Sequence, residues 1–302
     1  MSSSVPEAAT VRRAADVDAE SAADLFRDLQ GSLGIRRSAT PAEMREWWSH
    51  ADLPGSSWVF EESARMLAIG WLGRRGEATE ASGAVRPVVH GRGFGTAIAE
   101  RSEVRTRELA VQTVRHIVYG ADRAACALFE SRGYHAARRF YEMLIDLDGP
   151  PPEPAWPDGI RPATFRPDDA RAFHAASTEA FAGEWGAVPM PFEEWLRLRV
   201  ERADTSLYFI AWDGEEVAGC IRCEPELRGV GWVGMLGVRR AWRGRGIGEA
   251  LLLHAFGEFY RRGERRVGLG VDSENPTGAT HLYERVGMRA TVEDVVYEKE
   301  IA

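Results

Sequence analysis

One stretch limits what this chain can fold into more than any other, and it covers residues 231–248. It reads GWVGMLGVRRAWRGRGIG, an apolar strand and a short basic segment ending in three glycines spaced two apart, and a helical run follows. Glycine lets the backbone curl so that several N–H groups point in one direction. The N-terminus of the next helix adds unpaired N–H groups and a partial positive charge. The stretch therefore predicts a strand, an anion-binding turn and a helix.

A second glycine turn, HGRGFG at residues 90–95, precedes another helical pattern in the first half of the chain. Gly246 lies 153 residues after Gly93, and Gly287, which follows a later helix, lies 154 residues after Gly133. This constant spacing indicates an internal duplication.

The boundary between the two copies is marked by proline. Residues 149–157 contain five prolines in nine positions, a composition typical of a semi-rigid linker. We therefore predict two α/β domains, at 1–148 and 159–302, joined by a linker at 149–158. In this scheme each domain ends in its own last strand, over residues 138–147 and 290–297.

Composition excludes several kinds of chemistry. Lys299 is the only lysine, so neither a Schiff-base lysine nor a G-K-[ST] phosphate loop is available. The dinucleotide fingerprint G-x-G-x-x-G also fails, because its sixth position counted from Gly244 is Glu249. The net charge of −8 argues against general nucleic-acid binding.

The cysteines and the hydropathy pattern give further expectations. Three cysteines form no disulfide framework, and Cys220 and Cys223 are expected to be ordinary buried thiols with no metal. The chain has no leader-like start and no apolar run of membrane-spanning length, so we expect a cytoplasmic protein without membrane partners.

Two motifs carry a resemblance to a known family. Residues 243–248, RGRGIG, resemble the R/Q-x-x-G-x-G/A turn of the GNAT acyltransferase superfamily, and residues 235–238 resemble its bulged fourth strand. Residues 275–288, NPTGATHLYERVGM, resemble its N-x-x-A-x-x-L-Y-E-x-x-G-F block, with Met288 in place of phenylalanine. The resemblance implies an α/β fold of two tandem GNAT-like units, each a mixed, mostly antiparallel twisted sheet flanked by helices.

The resemblance also implies an activity, the transfer of an acetyl group from acetyl-CoA, as co-substrate, to a primary amine of a small molecule by direct attack. Tyr283 is then the acid that protonates the departing CoA thiolate. The pattern predicts one helix over residues 275–286, carrying both Asn275 and Tyr283. The residues expected to bind the cofactor are Leu236, Gly237, Val238, Arg243, Gly244, Arg245, Gly246, Ile247, Gly248 and Asn275. Of these, Arg243 or Arg245 would add a charged contact to the phosphates.

The motifs do not supply the base that accepts the amine proton. The family often uses a glutamate on the fourth strand, but that strand reads GWVGML here. Glu224, with Glu226 as a second choice, lies at the end of the previous strand and is the candidate base. Glu184 and Trp185 are expected to line the acceptor pocket.

The first half lacks the catalytic residues. By the same spacing, His90 stands in place of Arg243, Ala121 in place of Asn275 and Phe129 in place of Tyr283. Phenylalanine cannot donate a proton, so we predict a catalytically silent first unit.

Tandem units with one silent half resemble the mycothiol synthases, which acetylate a cysteinyl amine. Trp232 counts against a cysteinyl amine as the substrate, because the mycothiol synthases have a glutamate at this position. A catalytically inactive CoA-binding regulatory protein is the other alternative. Either a monomer or a homodimer is compatible with the sequence.

Overall fold

The computed structural model describes residues 9–36, 38–49, 51–185, 187–227, 230–275 and 277–301, except for the side chains of Glu226 and Leu227. The chain forms two compact units. Unit 1 contains the described residues up to Tyr141, together with Asp272–Glu274 and those from Thr291 onward. Unit 2 contains Glu142–Val271 and the described residues between 275 and 290.

Unit 1 is a mixed sheet with a helical layer on each face. Its elements are β1 (Thr10–Arg12), α1 (Ala19–Ser32), α2 (Pro41–Trp48), α3 (Leu53–Ser56), β2 (Ser57–Glu62), β3 (Arg65–Arg75), β4 (Ala78–Val85), α4 (Phe94–Glu108), β5 (Thr113–Tyr119), α5 (Arg123–Ser131), the start of β6 (His135–Asp146) and most of β12 (Arg289–Glu300). The strand order is β1-β2-β3-β4-β5-β12, in which only the β4–β5 pair is parallel. Phe60 and Phe94 belong to one core cluster, whereas Leu25, Met44 and Trp71 belong to the other.

Unit 2 repeats this plan. Its elements are the rest of β6, β7 (Ile160–Thr164), α6 (Ala170–Phe181), α7 (Phe192–Arg199), β8 (Tyr208–Asp213), β9 (Glu216–Leu227), β10 (Val230–Val238), α8 (Ile247–Arg261), β11 (Arg266–Asp272) and α9 (Ala279–Arg285). The strand order is β6-β11-β10-β9-β8-β7, and β10 and β11 are parallel. Phe173 and Tyr208 form the centre of one core cluster. Leu251, Phe256 and Phe259 of α8 are also fully buried.

The compact units differ from the predicted linear domains at the last strand of each half. Residues 294–300 of β12 pair with β5, so the end of the chain completes the sheet of unit 1. Val295 and Tyr297 are buried in its core. The strand predicted to close the first domain instead contributes residues from Glu142 onward to unit 2. Residues 149–157 contain neither helix nor strand, as the prolines predicted.

A local sequence signal explains the start of α2. Thr40 forms a capping box with Glu43, which confirms the predicted start of α2.

Cys220 and Cys223 are fully buried, and burial raises the pKa of the Cys220 thiol to about 12. Within the described residues, no helix is both long and apolar enough to span a membrane.

Candidate active site

The carboxyl ends of β10 and β11 diverge. Their parallel ladder joins residues 231–233 to residues 267–269, but β10 continues to Val238 and β11 to Asp272. On its other edge β10 stays paired with β9 as far as Val238. Peptide groups of residues 234–238 that face β11 therefore lie outside this ladder. They can accept an extended, amide-bearing chain in the manner of an added strand.

A bulge interrupts β10 next to this opening. Its register against β9 shifts between Val233 and Met235, at Gly234. The carboxylate of Glu224 fills the space that a β-carbon at Gly234 would occupy, so any other residue here would have to displace that side chain. The bulge matches the bulged fourth strand that the family resemblance implied.

The glycine turn connects β10 to α8. Gly244 has φ +76°, and Gly246 has φ +88° and caps the helix. Both values lie in the left-handed region, where a side chain is strained and glycine is not. A β-carbon built at Gly248 would lie 3.1 Å from Leu282, so α9 packs closely on the first turn of α8. The unpaired N–H groups at this helix start form an anion-binding end.

Arg243 holds the turn in place through its side chain. Its Nε donates to the carbonyl oxygen of Val238 at 3.1 Å, and its Nη2 donates to that of Ala180 at 2.9 Å. The guanidinium therefore ties the turn to the ends of β10 and α6. Arg245 is exposed, and its Nη1 lies 3.4 Å from Asp213. Of the two arginines expected at the phosphates, Arg243 donates to two backbone carbonyl oxygens, whereas Arg245 contacts the Asp213 carboxylate.

These contacts make Arg243 a determinant of stability. We expect Arg243→Ala to lower the free energy of unfolding by about 1–2 kcal/mol, because two carbonyl oxygens lose a donor. Arg245→Ala, the matched loss of one exposed guanidinium, should cost about 0.5 kcal/mol or less. Urea unfolding of the two variants measures the difference. Equal losses would show that the carbonyl contacts of Arg243 are not stabilising.

Tyr283 lies on α9 with 8% of its surface exposed. Burial raises the pKa of its hydroxyl to about 12, and the negative charge of Glu184 acts in the same direction. The hydroxyl is therefore protonated at neutral pH and can act as a proton donor.

Asn275 does not lie on the same helix as Tyr283, which corrects the predicted helix over 275–286. α9 begins only at Ala279, because Gly278 before it has φ +71° and the Asn275 side chain bonds locally. The Asn275 Oδ1 atom accepts from the backbone N–H and the hydroxyl of Thr277, at 2.8 and 2.5 Å. Its Nδ2 donates to Glu184 Oε1 at 3.4 Å. Asn275 thus connects the end of β11 to the loop after α6.

Glu184 is thereby brought into contact with Asn275, the first of the two motif residues. The sequence placed it only in a loop lining the acceptor pocket, but its carboxylate contacts Asn275 and acts electrostatically on Tyr283. The segment is 91 residues away from Asn275 in the chain, so no local pattern could have revealed this contact.

Glu224, the candidate base, is held by a residue that sequence reasoning missed. Its Oε1 forms an ion pair with Arg222, while Oε2 is buried without a hydrogen-bond partner. Arg222 also donates to the carbonyl oxygen of Gly234 at 3.2 Å. Residues two apart on a strand share a face, so the i, i+2 spacing was an available signal. The side chain of Glu226, the second choice, lies outside the described residues.

Trp232 is paired directly opposite Glu224 in the β9–β10 ladder. Its ring is buried and lies over Gly268 of β11, where a β-carbon would come within 2.7 Å of it. The indole therefore occupies the start of the diverging strands, which is the region where the family often places a glutamate.

Unit 1 keeps the conformation of the turn. Gly93 and Gly246 have identical backbone angles, φ 88° and ψ −3°. His90 replaces Arg243, and its Nε2 lies 3.0 Å from the carbonyl oxygen of Val85, the counterpart of Val238. The duplication predicted from spacing is thus visible at the level of individual hydrogen bonds.

Two other features of unit 2 are missing from unit 1. The β3–β4 ladder has no register shift, so the fourth strand of unit 1 carries no bulge there. Phe129 occupies the position of Tyr283 and packs on His116, with ring centroids 4.4 Å apart. Burial lowers the pKa of His116 to about 3, which leaves it neutral. Among these residues none offers a proton donor equivalent to Tyr283.

Solved structures with the same architecture are similar to this chain. A GCN5-related N-acetyltransferase from Sphaerobacter thermophilus is 35% identical, with a TM-score of 0.88 over 99% of this chain and 97% of its own. A tandem GNAT protein from the clavulanic acid biosynthesis pathway is 19% identical and has a TM-score of 0.75, with 97% and 99% covered, which supports the fold alone. These matches confirm the predicted fold of two tandem GNAT-like units.

Sequence comparison gives the same family. The pattern of the Acetyltransferase (GNAT) family matches residues 146–288. The mycothiol acetyltransferase of Geodermatophilus obscurus is 30% identical over 295 residues, which cover 91% of this chain and 92% of the relative. That of Salinispora tropica is 33% identical over 232 residues, 71% of each chain. The chain belongs to the GNAT acetyltransferase family, and it is an acyltransferase that transfers an acetyl group.

Proposed function

We propose that unit 2 transfers the acetyl group of acetyl-CoA to a primary amine of a small molecule. The observation that carries this proposal is the position of Tyr283, a buried and protonated hydroxyl. It lies on α9, the helix that packs on the first turn of α8, and α8 begins at the glycine turn. A proton donor is thereby held close to an anion-binding helix end.

The residues of unit 2 fit acetyl-CoA along its length. Backbone N–H groups of residues 243–248 are suited to the diphosphate, because the positive φ angles turn them toward the helix start. Leu236, Gly237 and Val238 lie beyond the end of the β10–β11 ladder, so the peptide groups of this stretch that face β11 are suited to the amides of the pantetheine arm. Asn275 would bond the cofactor arm or fix the turn before α9.

The chemical step needs an acid and a base. The amine nitrogen attacks the thioester carbonyl, a C–N bond forms and the C–S bond breaks. Tyr283 gives its proton to the departing sulfur, which makes it a better leaving group. Glu224 is the base proposed from the sequence. One of its two carboxylate oxygens is already paired with Arg222.

The relatives named mycothiol acetyltransferases support an acceptor with a primary amine. The finer alternative is acetylation of a cysteinyl amine. Trp232 argues against a cysteinyl amine as the acceptor, because its buried indole stands where the mycothiol synthases are expected to have a glutamate. We therefore propose a primary amine as the acceptor class and include a cysteinyl amine among the test compounds.

A thiol-release assay tests the proposal directly. Acetyl-CoA is incubated with the protein and a panel of primary amines, including cysteinyl amines, and free CoA thiol is measured over time. We expect amine-dependent release and a matching acetamide product. Calorimetry with CoA runs in parallel. CoA binding without acetylation of any amine would contradict this function and favour a regulatory CoA-binding role.

A further inference from the structure

The loop between α6 and α7 carries a carboxylate that the family motifs do not include. We propose that Glu184 binds the attacking amine and accepts its proton, so that the acceptor is a molecule that enters as a cation. This inference rests on the proposed function. It identifies both a catalytic residue and the charge class of the substrate.

Glu184 is held in a defined position by its backbone. Its N–H donates to the carbonyl oxygen of Phe181 at 3.1 Å, and its own carbonyl accepts from Ala187 at 3.2 Å. The preceding Gly183 turns the chain away from α6 with φ +88°. These two turn hydrogen bonds fix the backbone from which the Glu184 side chain extends.

The end of α6 links Glu184 to the cofactor-binding elements. Ala180 accepts a hydrogen bond from Arg243 of the glycine turn, at 2.9 Å. A β-carbon built at Gly237 would lie 2.9 Å from the Ala180 β-carbon, so the helix end packs directly on the strand proposed to bind the pantetheine arm. Glu184 therefore follows a segment whose position is set by the same turn and strand that would hold acetyl-CoA.

The Glu184 carboxylate contacts the motif block that carries Tyr283. Oε1 accepts from Asn275 Nδ2 at 3.4 Å, and the negative charge acts on the hydroxyl of Tyr283. Glu224, in contrast, is paired with Arg222, so that pair has no net charge with which to attract an ammonium group. Of these two carboxylates, Glu184 is the one in contact with the motif block that carries the acid.

The proton balance is complete with these two residues. The bound ammonium loses one proton to Glu184, which passes it to water, and the neutral nitrogen then attacks. After attack the nitrogen loses a second proton to Glu184, which returns it to the oxygen of Tyr283. The original proton of Tyr283 has by then moved to the CoA sulfur. The products are an acetamide, CoA thiol and one proton in solution.

Glu184→Gln tests the role, because glutamine keeps the size and the acceptor for Asn275 but cannot take a proton. Glu193→Gln is the matched control, since Glu193 on the neighbouring α7 is exposed. For a cationic amine we expect kcat/KM of Glu184→Gln to fall about 10²-fold or more, with contributions from a lower kcat and a higher KM. Glu184→Asp should recover part of this loss. CoA affinity and melting temperature should stay close to those of the unaltered protein in all three variants.

The outcomes separate this inference from the function on which it rests. Wild-type kcat/KM in Glu184→Gln, with loss in Glu224→Gln, would assign the base to Glu224 and overturn the role of Glu184 alone. Absence of turnover by the unaltered protein on every amine would overturn both proposals. If Glu184→Gln is unstable, Glu184→Asp decides: a folded variant with unchanged kinetics and unchanged preference for cationic amines contradicts the inference.

Discussion

Tyr283→Phe is expected to lower kcat by about 10²–10³-fold, while the affinity for CoA stays within about threefold. Phenylalanine keeps the ring in its buried position on α9 but removes the hydroxyl that is proposed to protonate the thiolate. The loss should therefore appear in the chemical step. Stopped-flow measurement of thiol release, together with calorimetric CoA binding, separates the two effects.

Tyr260→Phe is the control for this change, because it removes a tyrosine hydroxyl from the end of α8 in the same unit. It should leave kcat unchanged. The pH profile adds a second check. Because burial raises the pKa of Tyr283 to about 12, roughly 1% of it is ionised at pH 10. Activity that falls with an apparent pKa well below 10 cannot then be caused by loss of the Tyr283 proton.

Gly246→Ala is expected to weaken CoA binding about 5- to 30-fold and to raise the KM for acetyl-CoA accordingly. At φ +88° an alanine is strained by about 1–2 kcal/mol, so the turn relaxes and its N–H groups leave their common direction. Beyond the adjoining backbone, no atom of the described residues lies within 4 Å of the added methyl group, so backbone strain rather than a clash causes the effect.

The duplicated turn supplies a matched control. Gly93 in unit 1 has the same φ and ψ, so Gly93→Ala introduces the same backbone strain. Both variants should lose similar stability in urea unfolding. Only Gly246→Ala should lose acetyl transfer, because Phe129 leaves unit 1 without the acid. Loss of transfer in Gly93→Ala alone would show that unit 1 carries out the reaction.

Much of the site could be predicted because its parts are local in sequence. The strand, glycine turn and helix are consecutive, and Asn275 and Tyr283 belong to one short block. Local rules for glycine conformation and helix starts apply directly to such segments. The same rules predicted that α9 begins at Asn275. The helix begins only at Ala279, because Gly278 has a left-handed conformation and the side chain of Asn275 bonds to Thr277.

The remaining features depend on contacts between distant segments. Glu184 meets Asn275 across 91 residues, and β12 pairs with β5 although the predicted boundary separates them. Strand pairing is chosen by which edge and which core a strand completes, and an alternating apolar pattern carries no information about its partner. The Arg222–Glu224 ion pair could be predicted only in part. The sequence shows that the two residues share a face of the strand, but it does not show that their side chains pair.

The sequence by itself determined the family, the duplicated turn and the difference between the two halves at Tyr283 and Phe129, because each depends on residue type at a short, fixed spacing. Only the tertiary structure decided which strand completes each sheet and which carboxylate lies beside the acid. Both are settled by burial and by hydrogen bonds between segments far apart in the chain.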